Sequence, residues 1–328
     1  MTPKEVGLAL LTLLYLLVPV AQADPQLPLL AMPFSPATRL LVVAPHPDDE
    51  TLGAGGLIQR VLHAGGAVKV VFMTSGDGYP VGVALARHIQ HPQAQDYREY
   101  GMLRQQEARH ALAILGVSAK DVVFLGFPDS GLCPLQMTYP IDNGRNYLSP
   151  FTLEDRPYKA NVVLPSIEYN GEDLTKELTW VLSHFRPTLV VTVHPLDRHP
   201  DHCATYRFVN EALHALPKDN TALHPVLLTF LVHFGNWWPM LSRDRVEHQL
   251  HLPQYFPEAE ATWRSLLLSP EEVQTKHQAL LQYHSQMLVM GQYLLNFVQT
   301  NELFTIVSQG MQDVPQQMPW PCCPRENR

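Results

Sequence analysis

Two stretches of the chain bring together residue types that bind metals and move protons. The first is Pro45-His46-Pro47-Asp48-Asp49-Glu50, which follows the apolar run Leu40 to Ala44. His46 and Asp49 lie three apart across what reads as a tight strand-to-helix turn, so both side chains can converge on one ion. Imidazole and carboxylate are ordinary zinc ligands, and a catalytic zinc site needs three protein ligands plus a water. Asp48, between the two, should point differently and is left to act on that water as a base. The same acids also suit a plainer role, in which Asp48, Asp49 and Glu50 cap a helix and favour its positive end.

The second stretch, His194-Pro-Leu-Asp197-Arg-His199-Pro-Asp201-His202, follows another short apolar run, Thr188 to Val193. A lone histidine says little in a chain with 16 of them, but three within nine residues directly after a strand is a different density. In open α/β sheets ligands bind outside the carboxyl ends of strands. Two such ends bearing His-Pro-Asp are hard to attribute to capping, and together they point to a metal site. His194 and Asp197 are placed to orient either of the other two histidines from behind.

The paired motifs Pro45-His-Pro-Asp-Asp-Glu50 and His199-Pro-Asp-His202 resemble those of the LmbE-like, or PIG-L, zinc-dependent N-acetylglucosaminyl deacetylases. The likeness extends to Asp129-Ser-Gly131 and to Lys276-His-Gln-Ala-Leu-Leu-Gln-Tyr-His-Ser-Gln286, and so covers nearly all of the chain beyond its N-terminal segment. The resemblance implies one Zn2+ held by His46, Asp49 and His202, with Asp48 as the base and a protonated His199 stabilising the oxyanion. Spacing alone does not choose between His199 and His202. It further implies that Asp129 accepts hydrogen bonds from sugar hydroxyls and that Arg104 faces the substrate pocket. A surface ion pair of Arg104 with Glu107, at i, i+3, is the alternative. The implied substrate is an N-acetylated amino sugar or glycoconjugate. The rivals are a zinc amidase acting on another acylated amine, such as a thiol conjugate or an antibiotic, and an exported carbohydrate-binding protein with a structural metal.

Alternating strands and helices from Leu40 to Leu216 predict one three-layer αβα, Rossmann-like α/β domain with a mainly parallel sheet. Strands are expected at Leu40–Ala44, Val68–Thr74, Val122–Leu125, Thr188–Val193 and Val226–His233. Helices are expected at Thr51–His63, Asp96–Leu115, Gly171–Phe185 and His202–Leu216, with one more from Ser269 to near Gln286. Gly53, Gly55 and Gly56 suggest close helix-to-sheet packing, because Ile58 breaks the Gly-x-Gly-x-x-Gly fingerprint of nucleotide binders. Residues 132–170 read as an irregular lid whose Tyr139, Tyr147, Tyr158 and Tyr169 could stack on sugar rings. Trp237 and Trp238 would form a platform for sugar or lipid, or close the core. Residues 241–269 read as irregular.

A chain that is 46% hydrophobic and 16% charged can bury a sizeable core, and its net charge of −8 argues against a general nucleic-acid partner. Lys4, the apolar Leu8 to Val18 and Ala21-Gln-Ala23 read as an export signal over 1–23. Its apolar run is short of the roughly 20 residues of a spanning helix, so membrane contact is expected only through an uncleaved signal or a lipid-linked substrate. An irregular lead-in (24–38), a single domain (39–310) and a tail (311–328) follow. The pairing of the four cysteines, Cys133, Cys203, Cys322 and Cys323, stays open.

Overall fold

The computed structural model describes residues 27–141, 143–158, 164–216, 224–235, 238–239, 249–257, 262–307 and 323. The stretch expected to be an export signal (1–23), Trp237 and all of the tail except Cys323 lie outside the described residues.

Seven strands form one sheet in the order β3-β2-β1-β4-β5-β7-β6. These are β1 (Arg39–Ala44), β2 (Ala67–Thr74), β3 (Val122–Phe127), β4 (Leu189–Val193), β5 (Val226–Phe230), β6 (Trp263–Leu267) and β7 (Asn301–Val307). The first five pair in parallel, while β7 runs antiparallel to both β5 and β6. Branched apolar residues fill β1 because both of its faces are covered. Leu40, Val42 and Ala44 join one core and Leu41 and Val43 the other, as the two-residue period of a strand requires. Helices α1 (Asp49–His63), α3 (Ala94–Ile114), α7 (Pro270–Leu280) and α8 (His284–Leu295) supply the first core, and α4 (Leu132–Met137), α5 (Gly171–Phe185) and α6 (Pro200–His214) supply the second. A short helix α2 (Pro80–Arg87) packs on α3 and α8. The three-layer architecture is as the sequence predicts.

The sheet order reverses between β1 and β4. The chain steps from β1 to β2 to β3 in one direction, then starts again at β4 on the other side. Such a reversal opens a crevice at the carboxyl ends of the two central strands. The in-step pairing of Leu40–Val43 with Leu189–Thr192 brings these ends out level, so both His-Pro-Asp motifs emerge into that crevice.

Several elements differ from expectation. The helix expected to run to Gln286 stops at Leu280, and α8 begins at His284 after a turn through Tyr283. The stretch read as irregular before Ser269 contains β6, whose Ser265 also bridges Leu29 of the lead-in. Ser269 does cap α7, in a reciprocal capping box with Glu272. The glycines of α1 are packing residues: a Cβ at Gly53 would lie 2.0 Å from the Phe230 ring, and one at Gly56 would lie 2.3 Å from Leu268.

Cys133 on α4 is disulfide-bonded to Cys323, 190 residues away, and Cys203 is also disulfide-bonded. Closing a loop of that length removes about 5 kcal/mol of unfolded-state freedom in the chain-entropy account. Full reduction should therefore lower the melting temperature by roughly 7 °C or more, read by calorimetry with and without dithiothreitol. An unchanged melting temperature would show that the tail linkage contributes nothing to stability.

Candidate metal centre

His46 leaves the end of β1, and the backbone then turns sharply into α1. Asp48 occupies the turn with φ 127° and ψ −32°, a left-handed conformation that costs a non-glycine residue of order 1–3 kcal/mol. It stands at the N-cap position of α1, yet its side chain makes no capping hydrogen bond. Its carboxylate instead faces Arg104, 3.2 Å away. The capping explanation therefore fails for Asp48, while Asp49 and Glu50 do serve the turn by accepting from the His46 and Asp48 backbone N–H groups.

The turn and the N-terminus of α6 meet at three atoms. His46 Nδ1, Asp49 Oδ2 and His202 Nε2 lie 3.3 Å from one another. An equilateral triangle of that edge is one face of a tetrahedron whose centre is about 2.0 Å from each corner, the bond length of zinc to nitrogen and oxygen ligands. All three residues are buried, as is Asp48, which is paired with Arg104 and close enough to Asp49 and His46 to feel their charges. The donor set fits a single zinc-like ion.

Carboxylates stand behind both imidazoles. Asp201 accepts from His46 Nε2 at 3.3 Å and also from the Ser130 and Leu132 N–H groups, so it binds the two motifs to the Asp-Ser-Gly loop. Asp197 Oδ2 is 3.2 Å from His202 Nδ1, close enough for charge pairing although off the line of a good hydrogen bond. Asp197 is held by three backbone N–H groups, those of His199, Val232 and His233. His194 is elsewhere: its ring packs on Trp263 and Phe256 and its Nδ1 accepts from the Leu196 N–H. Of the two residues expected to orient histidines, Asp197 sits behind His202 and His194 lies in the core.

His199 is the N-cap of α6, its Nδ1 accepting from the Asp201 N–H at 3.3 Å. With Nδ1 so used, a neutral His199 carries its proton on Nε2 and can donate from there. Burial and the neighbouring imidazoles of His46, His202 and His233 hold its pKa well below the ordinary value. This disfavours the protonated His199 expected from the resemblance and leaves a neutral N–H donor.

The other charges are displaced in the directions their surroundings dictate. Burial opposes a charge on His46 and His202, but Asp129, Asp201 and Asp49 raise the first well above normal, and Asp197 and Asp49 raise the second to about 9. Asp49 is held well below the usual carboxylate range by His202 and His46, against its burial. Burial pushes Asp48 up to about 8, with Arg104 opposing and Asp49 and Glu50 reinforcing.

Arg104 makes neither the surface pair with Glu107 nor an open approach to the pocket. It is buried, donating to the Gly76 and Pro47 carbonyls and to Asp48, while Glu107 accepts from the Ser285 backbone and hydroxyl. Asp129 lies at the site floor, its Oδ1 3.3 Å from His46 Nε2 and its Oδ2 accepting from the Gly78 N–H. Of the lid tyrosines, Tyr158 hydrogen-bonds Asp77, whose charge interacts with that of Asp129. Tyr139 and Tyr147 pack edge to face, and Tyr169 donates to the Gly126 carbonyl from the core. Trp238 donates to the His251 carbonyl and packs on Phe297, as a core residue does.

The Lys276–Gln286 motif holds the site from behind. Lys276 Nζ pairs with Glu302 at 2.7 Å, both fully buried, and donates to the Leu52 carbonyl. Glu302 accepts from the Gly56 and Leu57 N–H groups, so the pair grips both ends of one rung of α1. Tyr283 hydrogen-bonds Glu50, and Gln286 donates to the Tyr100 hydroxyl on α3.

Two residues were missed from sequence. Asp201 lies inside a recognised motif without a role assigned to it. His233 belongs to no motif, yet its ring centroid is 4.8 Å from that of His202, and burial with His202 lowers its pKa to about 4. The signal was present: a third apolar strand, β5, with a histidine just beyond its end.

Residues 41–213 match the family model described as PIG-L: GlcNAc-PI de-N-acetylase. The chain is 33% identical over 183 residues to the 1D-myo-inositol 2-acetamido-2-deoxy-alpha-D-glucopyranoside deacetylase of Mycobacterium sp. (strain KMS), covering 53% of this chain and 50% of that one. The protein of the same name from Rhodococcus erythropolis is 27% identical over 235 residues, covering 70% and 68%. The chain spans about half the length of most of the curated relatives it matches. Among solved structures, a deacetylase of the teicoplanin biosynthesis pathway superposes with a TM-score of 0.51 at 22% identity, over 83% of this chain and 98% of that one. The N,N'-diacetylchitobiose deacetylase of Pyrococcus horikoshii gives 0.50 at 17%, over 83% and 84%; both likenesses speak to the fold. With the family model spanning more than half of its length and both His-Pro-Asp motifs inside the matched residues, the chain belongs to the PIG-L family.

Proposed function

We propose that the protein is a metal-dependent hydrolase that removes the acetyl group from an N-acetylglucosamine-type amide. The observation that carries this is the triangle of His46, Asp49 and His202 with Asp48 beside it and outside it. A structural site would fill its donors from the protein, whereas three ligands plus an adjacent spare carboxylate is a hydrolytic arrangement. The names of the curated relatives, which describe an acetamido sugar as substrate, support the choice of amide.

A zinc ion held by this triangle would polarise the acetyl carbonyl and acidify the attacking water. The chain's own groups do the rest. Asp48, fixed by Arg104 and its turn, takes the water's proton in its ionised form, whose fraction grows as the pH rises through about 8, and later returns one to the departing amine. His199 donates from Nε2 to the oxygen that gains charge. Asp201 and Asp197 set the His46 and His202 rings so that the correct nitrogen faces inward. Asp129, beside His46, is placed to accept from a sugar hydroxyl.

The test is release of acetate from a panel of N-acetylated sugars, free and lipid-linked, beside acylated thiol conjugates. Activity should vanish with chelator and return with zinc, and His202→Ala should lose both metal and turnover. Acetate release undiminished by chelation, or full metal content in H202A, would overturn the assignment. We also infer export of the mature protein from near Asp24. The disulfide at Cys133 supports this, since such bonds persist in oxidising compartments.

A further inference from the structure

We propose that His233 is an exchangeable fourth donor to the metal, presenting an unprotonated Nε2 to the position that water or substrate otherwise takes. The inference rests on the metal site proposed above and concerns a part of the chain beyond the residues matched by the family model.

The position of His233 is fixed from three directions. It lies just past the carboxyl end of β5, which pairs in parallel with β4, so it emerges beside the strand end that leads to His199 and His202. Its backbone N–H donates at 2.8 Å to Asp197 Oδ2, the oxygen that stands behind His202. Its ring is stacked parallel to Tyr293, at an interplanar angle of 3°. So held, it brings a ring nitrogen within 4.8 Å of both a carboxylate oxygen of Asp49 and a ring nitrogen of His202.

Hydrogen-bond accounting then fixes the tautomer. The Tyr293 hydroxyl lies 2.7 Å from the Val232 carbonyl and 3.0 Å from His233 Nδ1. A carbonyl only accepts, and a phenol has one proton to give. That proton goes to Val232, so Nδ1 must be the N–H that donates to the phenol oxygen. The remaining nitrogen, Nε2, is left with its lone pair. This is how metal-binding histidines are generally prepared: one nitrogen is tied to a hydrogen-bond partner so that the other is bare.

The spacing is compatible with such an exchange. Two ligands on one zinc are separated by at most about 4.2 Å, twice the bond length. A donor within 4.8 Å of both neighbours needs at most a small movement of its side chain to reach the ion. The same movement in reverse reopens the site. In the resting protein His233 would complete the coordination, and an incoming water or acetyl oxygen would replace it.

The test reads the metal and leaves turnover aside. In wild-type protein loaded with 113Cd2+ and 15N-labelled at histidine, His233 Nε2 should show a one-bond cadmium coupling, as should His46 and His202, and Nδ1 should carry the proton. His233→Ala should raise the metal dissociation constant roughly 10- to 100-fold, measured by chelator competition on protein shown to be folded by circular dichroism, and should change the visible spectrum of the Co2+ form. Tyr293→Phe, which keeps the imidazole and removes its anchor, should shift both in the same direction by less. Absence of cadmium coupling at His233 in the wild type would overturn the proposal, as would wild-type affinity with an unchanged Co2+ spectrum in H233A. Failure of the hydrolase reading would look different, as a wild-type protein that binds metal and releases no acetate from any substrate.

Discussion

Asp48→Asn should retain its metal and lose about 10² to 10⁴ in turnover, the usual contribution of a positioned acid–base group. Asn has the size of Asp and tolerates a positive φ, so the strained turn at φ 127° survives the change. What it lacks is the basic oxygen pair beside the metal triangle. The loss should fall on kcat with little effect on substrate affinity, since the missing interaction belongs to the transition state. Metal content by elemental analysis and turnover on an N-acetylglucosamine substrate, both per folded molecule, decide the matter. Full metal with near-normal turnover would remove Asp48 from the mechanism and leave the metal site standing. Capping would not rescue the alternative, because the Asp48 side chain makes no cap bond to lose.

A large stability effect is expected behind the site, where Lys276 and Glu302 hold α1. Lys276→Met leaves the Glu302 carboxylate buried without its cation, and breaking a buried pair from one side costs about 3–5 kcal/mol. Urea unfolding should show that loss as a lower midpoint at unchanged slope. The double variant Lys276→Met with Glu302→Gln removes both charges and should recover part of it, because the amide oxygen can still accept from one of the two α1 N–H groups. A single K276M variant as stable as the wild type would mean that the α1 N–H groups alone satisfy Glu302. The double variant falling further than the single would mean that charge on Glu302 is itself needed.

Much of the site could be read from the chain because its signals are local. Branched apolar runs such as Leu40–Ala44 and Leu189–Val193 are too short for helices, and each ends in a motif whose residue types are costly to bury without a purpose. The parts that escaped are those decided by distant partners. Arg104 and Glu107 have the spacing of a surface pair, and only the packing of α3 against the site and α8 shows that each serves a different partner. β6 was hidden because Arg264 and Ser265 interrupt its apolar pattern, and it survives as a strand by pairing with β7 and the lead-in. Asp201 sits between two residues with obvious roles, and its own appears only when His46 arrives from the other side of the crevice. The protonation state expected for His199 changed for the same reason: the crowd of imidazoles that opposes a charge there comes from three separate strand ends.

The grip of Lys276 and Glu302 on α1 has a consequence for when the protein becomes able to take up its ion. Every residue of the proposed triangle has been synthesised once His202 is made, yet the helix that carries Asp49 is not fastened until Lys276 and Glu302 have followed. A growing chain thus holds a complete set of ligands for a long interval without the groups that fix their spacing. Ion uptake then reports completion: a product that terminates before Lys276 carries all the chemistry and lacks the fastening, and should emerge from synthesis without its metal.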